Sequence, residues 1–137
     1  MREESTVMTA QDRLREAGIR VTSPRVLILE YLMNNFTHPT CEQIYKGLKE
    51  TDSNMSFASV YNVTDKLAQA GLIRRLVSPD GEFHYDAKTS FHGHMFCDKC
   101  NSITDLNFDF EPRVDDLNGA NIHFSTYSAY GTCSKCN

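Results

Sequence analysis

Cys97-x-x-Cys100 and Cys133-x-x-Cys136 are two pairs of soft ligands at the spacing of metal knuckles. Four thiolates brought together tetrahedrally suit one Zn2+. A four-cysteine site is closed, so its chemistry is structural. It staples the ends of a lobe too small to hold itself together and contributes on the order of 10 kcal/mol of folding free energy. Two disulfides are the alternative, but no thioredoxin-like strand and helix surround either pair. His92-x-His94 is a different case. On a strand, residues two apart share a face, so both imidazoles can reach one ion. Asp86 upstream, Asp105 beyond the first knuckle and the isolated His38 are the further candidates. Three His and two Asp make a mixed N/O set, suited to Fe2+ or Mn2+ and not to a thiolate-seeking metal. The bland alternatives are packed or surface histidines for His92 and His94, and a loop or cap residue for His38. Cys41 lies outside the zinc pattern and reads as a small buried hydrophobe.

The elements that must position these residues come from patterning. From Val7 to Ala17 the apolar residues recur at helical spacing and end at Gly18. A second helix begins at Thr22 or Ser23, with Pro24 in its first turn and Val26, Ile28, Leu29 and Leu32 apolar; Asn34 and Asn35 close it. Thr40 with Gln43 is a capping box leading a short helix through Ile44 and Leu48. Ser56 caps a fourth helix, Phe57 to Ala70, stopped by Gly71. Two extended runs, Leu72 to Val77 and Phe83 to Tyr85, then flank the turn signal Ser78-Pro79-Asp80-Gly81. Helices followed by a hairpin is the order of a winged helix, in which the helix before the hairpin lies in the major groove. Residues 87 to 91 read as a connector. Beyond it, alternation at His92, His94 and Phe96, at Ile103 and Leu106, and at Ile122, Phe124 and Tyr127 to Tyr130 implies strands, with Phe110 to Leu117 as a single helix.

The expected fold class is therefore α+β. A winged-helix DNA-binding domain over residues 1–86 and a linker over 87–91 precede a small α/β metal-binding domain over 92–137 that holds the zinc cysteines. The 137 residues, 40% hydrophobic and 23% charged, fit one ordinary domain or two small ones and have the composition of a globular and not a disordered chain. The net charge of −4 argues at first against nucleic acid. However, residues 1 to 80 balance ten Lys/Arg against ten Asp/Glu, so the acidity sits in the C-terminal part. No apolar run approaches the roughly 20 residues of a membrane helix, and the N-terminus shows no signal-peptide core. A cytoplasmic protein that binds no membrane is the expectation.

Taken in order, several motifs together resemble the ferric uptake regulator family of bacterial repressors, and within it the peroxide-responsive branch. They are Arg20-Val-Thr-Ser-Pro-Arg25, Thr37-His38-Pro39-Thr40, Ser59-Val60-Tyr61-Asn62, Leu67-x-x-x-Gly71-Leu72-Ile73, His92-Gly93-His94-Met-Phe-Cys97-x-x-Cys100 and Cys133-x-x-Cys136. The resemblance covers nearly the whole chain. It implies a homodimer that binds an inverted repeat of double-stranded operator DNA, with an N-terminal winged helix and a C-terminal dimerisation domain. Carried over residue by residue, His38, Asp86, His92, His94 and Asp105 fall on the regulatory Fe2+ or Mn2+ positions, and Cys97, Cys100, Cys133 and Cys136 on the structural Zn2+. Asp105, where the iron-sensing branch usually has Glu, and Asn62, where it tends to have Arg, point to peroxide sensing.

The mechanism that the resemblance implies is oxidation of His38 or His92 by hydrogen peroxide in the presence of bound iron, followed by release of metal and operator. Tyr61, Asn62 and Ser59 are the expected base-reading residues, Asn suiting adenine. Arg20, Arg25 and Lys66 are the expected phosphate contacts, with a solvated basic face as the alternative. Three departures stand out. Pro24 lies one place from the family's usual Thr-Pro-x-Arg proline. Phe91 and Gly93 replace the His and Asp of an additional metal site, which predicts that this site is missing. Val63 and Thr64 replace a commoner Asn-Leu, which predicts an altered operator preference.

Other readings keep the same residues. A repressor of the same family could sense iron or manganese itself, with the ion as co-repressor. A metal-dependent hydrolase or oxygenase could be built on His92, His94 and an Asp, but the sequence offers no acid/base partner for it. A zinc-stapled interaction module would keep its binding without the regulatory ion. The reading adopted is a regulator, not an enzyme.

Overall fold

The computed structural model describes residues 8–108, 119–122 and 125–137. The chain divides into two compact units, one of residues up to Val77 together with Glu82–Thr89, the other of Ser78–Gly81 together with Ser90–Asn137.

The first unit is built on four helices, α1 (Ala10–Glu16), α2 (Ser23–Met33), α3 (Cys41–Lys49) and α4 (Phe57–Gln69), and a hairpin of β1 (Arg74–Val77) and β2 (Phe83–Asp86). Their ends are set by local chemistry. The Thr9 hydroxyl accepts from Asp12 N while the Asp12 carboxylate accepts from Thr9 N, so α1 starts three residues later than the apolar spacing suggested. Val7 lies outside the described residues. Thr40 and Gln43 make the expected reciprocal cap on α3, and Ser56 Oγ accepts from Ser59 N at the start of α4. Thr22 precedes α2 without a side-chain cap, and Pro24 occupies the first turn, where a missing N–H costs nothing.

Helix α4 ends in a Schellman turn. Gly71, at φ +80°, sends its N–H to Ala68 O, and Leu72 N reaches Leu67 O. The next residues are thereby turned back toward the core, where Leu14, Ile28, Leu29, Leu32, Ile44, Val60, Leu67 and Ile73 are fully buried and Tyr85 of β2 closes the cluster. The hairpin is antiparallel, with Arg74 opposite Asp86 and Val77 opposite Phe83.

In the second unit β3 (Gly93–Cys97) is the central strand. It runs antiparallel to β4 (Ile103–Leu106) and parallel to β5 (Tyr127–Gly131). Alternation along β3 was expected, but Gly93, His94, Phe96 and Cys97 are all buried, so both faces are covered. Tyr127 to Tyr130 falls in β5 as expected, whereas Ile122 lies outside any strand. Phe124 and the helix expected over Phe110 to Leu117 lie outside the described residues.

Candidate metal centres and nucleic-acid face

Cys97 ends β3, Cys100 closes the turn after it, and Cys133 and Cys136 follow β5, so the parallel pairing of β3 and β5 brings the two knuckles together. The four Sγ atoms lie within 4.8 Å of one another. Cys100 Sγ is 3.7 Å from Cys133 Sγ. Thiolates about 2.3 Å from a tetrahedral Zn2+ are about 3.8 Å apart, so the sulfurs already stand near the edge length of the coordination polyhedron. All five cysteines are free thiols.

Backbone geometry prepares the site electrostatically. The amides of Cys133, Cys100 and Lys99 point at Cys97 Sγ from 3.3, 3.4 and 3.4 Å. The hydrogen bonds from Cys100 and Cys133 are the main reason the Cys97 thiol falls to about 6. Cys100 is lowered by the hydroxyl and backbone of Ser102. Cys136 goes the other way, to about 12, because its hydrogen bonds to Cys133 and Cys100 make it the proton holder of the cluster. Sulfurs packed this closely cannot all ionise unless a dication sits among them, so the donor set fits zinc.

In the first unit His38 lies in the turn between α2 and α3, two residues before the Thr40 cap, with its backbone at φ +58°. Its Nε2 is 3.5 Å from Oδ2 of Asp86, the last residue of β2, and both side chains are buried. Asp86 Oδ1 accepts from Lys88 N at 2.9 Å. The second strand of the hairpin therefore carries a carboxylate to the histidine.

In the second unit His92 and His94 converge on a single oxygen. Asp105 Oδ1 is 3.8 Å from His92 Nε2 and 3.5 Å from His94 Nε2, and His94 faces Asp105 directly across the β3–β4 ladder. The imidazole centroids are 4.5 Å apart. His92 Nδ1 stands 2.8 Å from the Ser90 carbonyl, which can only accept, so Nδ1 is committed as a donor and Nε2 is the nitrogen turned toward Asp105. This gives a two-nitrogen, one-oxygen set of borderline and hard donors with no sulfur, matched to Fe2+ or Mn2+.

The positions of an additional metal site are differently filled. A Cβ on Gly93 would come within 2.9 Å of the Tyr127 carbonyl and 3.1 Å of the Phe108 ring, so β3 has no room there for a carboxylate. Phe91 packs its ring on Phe108.

On α4, Tyr61, Asn62 and Lys66 are exposed, while Val60, Thr64 and Leu67 face inward. Ser59 is half-buried, and its Oγ accepts from Ser56 Oγ, so part of its capacity is spent on the helix start. Arg20 is exposed. Arg25 is half-buried with Nη1 on the Arg20 carbonyl at 2.8 Å, which leaves the rest of its guanidinium for other acceptors. Thr64 is fully buried, and its hydroxyl donates to Val60 O and lies 3.0 Å from Tyr61 O. It can influence the helix only through packing, because it cannot reach a base. Cys41 is half-buried rather than buried, with Sγ 3.4 Å from Thr64 Oγ1.

Sequence reasoning missed His84 and Arg75. His84 Nδ1 lies 2.8 Å from the His38 carbonyl. Arg75 pairs with Asp65 of α4 at 2.8 Å. The capping and hairpin signals located both residues without revealing what either one touches.

The model of the ferric uptake regulator family matches residues 16–126. The peroxide operon regulator of Bacillus subtilis is 36% identical over 131 residues, covering 93% of this chain and 90% of that protein. Among solved structures, the ferric uptake regulator from Pseudomonas aeruginosa with manganese superposes with a TM-score of 0.75 at 26% identity, covering 93% of this chain and 100% of that one. The ferric uptake regulator from Francisella tularensis with iron gives a TM-score of 0.69 at 29% identity, covering 87% and 95%.

Proposed function

The chain belongs to the ferric uptake regulator family of metal-responsive transcription regulators, and on that premise we propose that it is a peroxide-sensing repressor. In this reading it acts as a cytoplasmic homodimer on an inverted repeat of operator DNA. Residues 1–86 form the DNA-binding domain, 87–91 the linker and 92–137 the dimerisation and metal-binding domain. No described helix is long and apolar enough to cross a membrane.

The observation that carries the reading is the pair of half-sets, His38 with Asp86 in one unit and His92, His94 and Asp105 in the other. Two donors do not close a site for a hard divalent ion, and three leave it open. We assign all five to one regulatory ion, Fe2+ or Mn2+. Ligands drawn from both units restrict the linker and favour the arrangement in which two α4 helices match two half-sites, a population shift toward the DNA-competent form. Without that restraint the matched arrangement is one of many.

Tyr61 and Asn62, on the exposed face of α4, read base edges, and Ser59 adds its remaining hydrogen-bonding capacity. Lys66, Arg20 and the uncommitted part of Arg25 contact phosphates. Held by His38, Asp86, His92, His94 and Asp105, ferrous iron would supply the redox chemistry that activates hydrogen peroxide, with the peroxide itself as the oxidant. His38 or His92 would take up one peroxide oxygen at a ring C–H as the O–O bond breaks, the other oxygen leaving as water; an oxidised imidazole is a poor donor, so the ligand set would lose a member and the operator would be released. The B. subtilis relative, a peroxide operon regulator, and the Asp at position 105 support this branch of the family.

The test is peptide mass spectrometry on zinc-containing protein loaded anaerobically with Fe2+ and exposed to a small excess of peroxide, with a Mn2+-loaded control. One added oxygen on the peptides holding His38 or His92, in the iron sample only, is the expected result. Unmodified histidines would leave a repressor that reports the availability of the ion.

A further inference from the structure

The turn that carries His38 is held in an unfavourable conformation by the wing strand. His38 sits at φ +58°, a left-handed backbone that a side chain with a Cβ adopts rarely. The proline that follows restricts it further. Strain of this kind persists only where surrounding contacts over-determine it. Three contacts do so, all from consecutive residues of β2. Tyr85 N donates to Pro39 O at 2.9 Å, Asp86 faces the His38 imidazole, and His84 Nδ1 stands 2.8 Å from the His38 carbonyl.

The first of these is backbone, available whatever residue stands at 85, and the second belongs to the ligand set itself. His84 is the contact specified by a side chain with no other role. A carbonyl only accepts, so Nδ1 carries the proton and donates. The opposite nitrogen, Nε2, is buried without a hydrogen-bond partner among the described residues. A buried polar atom left unsatisfied is costly, so this side chain is poorly explained as core filler; an apolar residue would fill the same space without that cost.

We infer that His84 is a positioning residue for the regulatory metal site, its Nδ1–H clamping the His38 carbonyl so that the left-handed turn presents the His38 imidazole beside Asp86 before any ion arrives. Preorganisation of this kind lowers the ordering cost of ligation. Outer-shell hydrogen bonds at metal sites typically change affinity 10–100-fold. The inference rests on the reading of His38 as a ligand.

The experiment uses the full-length, zinc-loaded chain and measures Mn2+ affinity together with hydrogen exchange of the turn amides in the absence of Mn2+. His84→Phe and His84→Leu remove the donor, while His84→Asn places an amide nitrogen near the position of Nδ1. The donor-free variants are expected to bind Mn2+ about tenfold or more weakly and to exchange the His38 and Thr40 amides faster, with His84→Asn within about threefold of the parent. Equal affinity in all forms, or equal loss in all three variants, would overturn the assignment, and so would failure of both donor-free variants to fold, which would place His84 in the core. His38→Ala separates the two levels. If it leaves Mn2+ affinity unchanged, the ligand reading fails and this inference with it; if it weakens binding while His84→Phe does not, only the clamp is wrong.

Discussion

Arg75, on the first strand of the hairpin, reaches Asp65 on α4 with Nη2 2.8 Å from Oδ1, so α4 is tied to the hairpin that follows it. The guanidinium also lies over the rings of Phe83 and Tyr85, at 4.8 and 5.6 Å from their centroids. Hydrogen bonding to Asp65 raises the Arg75 pKa, so the charge is permanent. Both partners are partly exposed, which limits the ion pair to about 0.3–1 kcal/mol, while ring stacking adds a comparable amount. Asp65→Asn should therefore lower stability by less than about 1 kcal/mol, and Arg75→Ala by about 1–2 kcal/mol, because it loses both contacts. Denaturant unfolding of the zinc-loaded chain measures the difference, and equal losses in the two variants would show that the rings contribute nothing.

Removal of zinc should act on the second unit. Its described strands have four or five residues each, and the cysteines join the end of β3 to the segment after β5. A structural zinc contributes on the order of 10 kcal/mol, more than so small a sheet can replace. Cys100→Ser, or exhaustive chelation, should abolish dimers in sedimentation experiments and specific operator binding along with them. Helical circular dichroism should largely remain, since the buried cluster of the first unit contains none of the four cysteines. Retention of dimers after complete zinc loss would contradict this.

The sequence made the helices legible because their ends are written in adjacent residues. Thr40 with Gln43, Ser56, and Gly18 and Gly71 are local signals that need no tertiary information. The cap on α1 went unseen because Asp12 stands where the commoner signature has Glu or Gln. The knuckles were legible for the same reason as the caps, since two-residue spacers declare them. What remained hidden depends on register across long separations. That His84 meets the His38 carbonyl and Arg75 meets Asp65 follows from how the hairpin lies on its unit, which periodicity does not encode. The inward turn of Thr64 was also missed. The expected effect of positions 63 and 64 on operator preference rested on residue type alone, whereas Thr64 is fully buried and Val63 packs against the core.

In the proposed reading, Asp105 separates two ways of using the same five side chains. Its Oδ1 is within 4 Å of both His92 Nε2 and His94 Nε2. Glutamate at that position carries one more methylene and moves the carboxylate by about 1.5 Å while keeping its charge. Asp105→Glu should still bind Mn2+ and retain metal-dependent operator binding, whereas iron-dependent oxidation of His38 and His92 should fall roughly tenfold, the effect of about 1.4 kcal/mol on a barrier. Mobility-shift assays and peptide mass spectrometry read the two properties separately. Loss of both together would mean that Asp105 sets ion affinity alone.

In the proposed reading, the exposed residues of α4 divide into those that select sequence and those that add affinity. Asn62 is exposed one position after Tyr61, itself 50% exposed, and Lys66 lies one turn further on the same solvent-facing side. An amide that pairs with adenine through both its groups is worth about 1–3 kcal/mol of discrimination, and none of that is available on non-specific duplex. Asn62→Ala should therefore weaken operator binding by roughly 5–150-fold and leave binding to random DNA nearly unchanged. A lysine on a phosphate acts on both duplexes alike, so Lys66→Ala should weaken both to a similar degree and reduce the slope of log K against log salt by about 1. Titrations of operator and random duplex at several salt concentrations, with Mn2+ present throughout, resolve the two patterns. A uniform loss for Asn62→Ala would remove it from the base-reading set and leave Tyr61 as the exposed side chain at the centre of the helix.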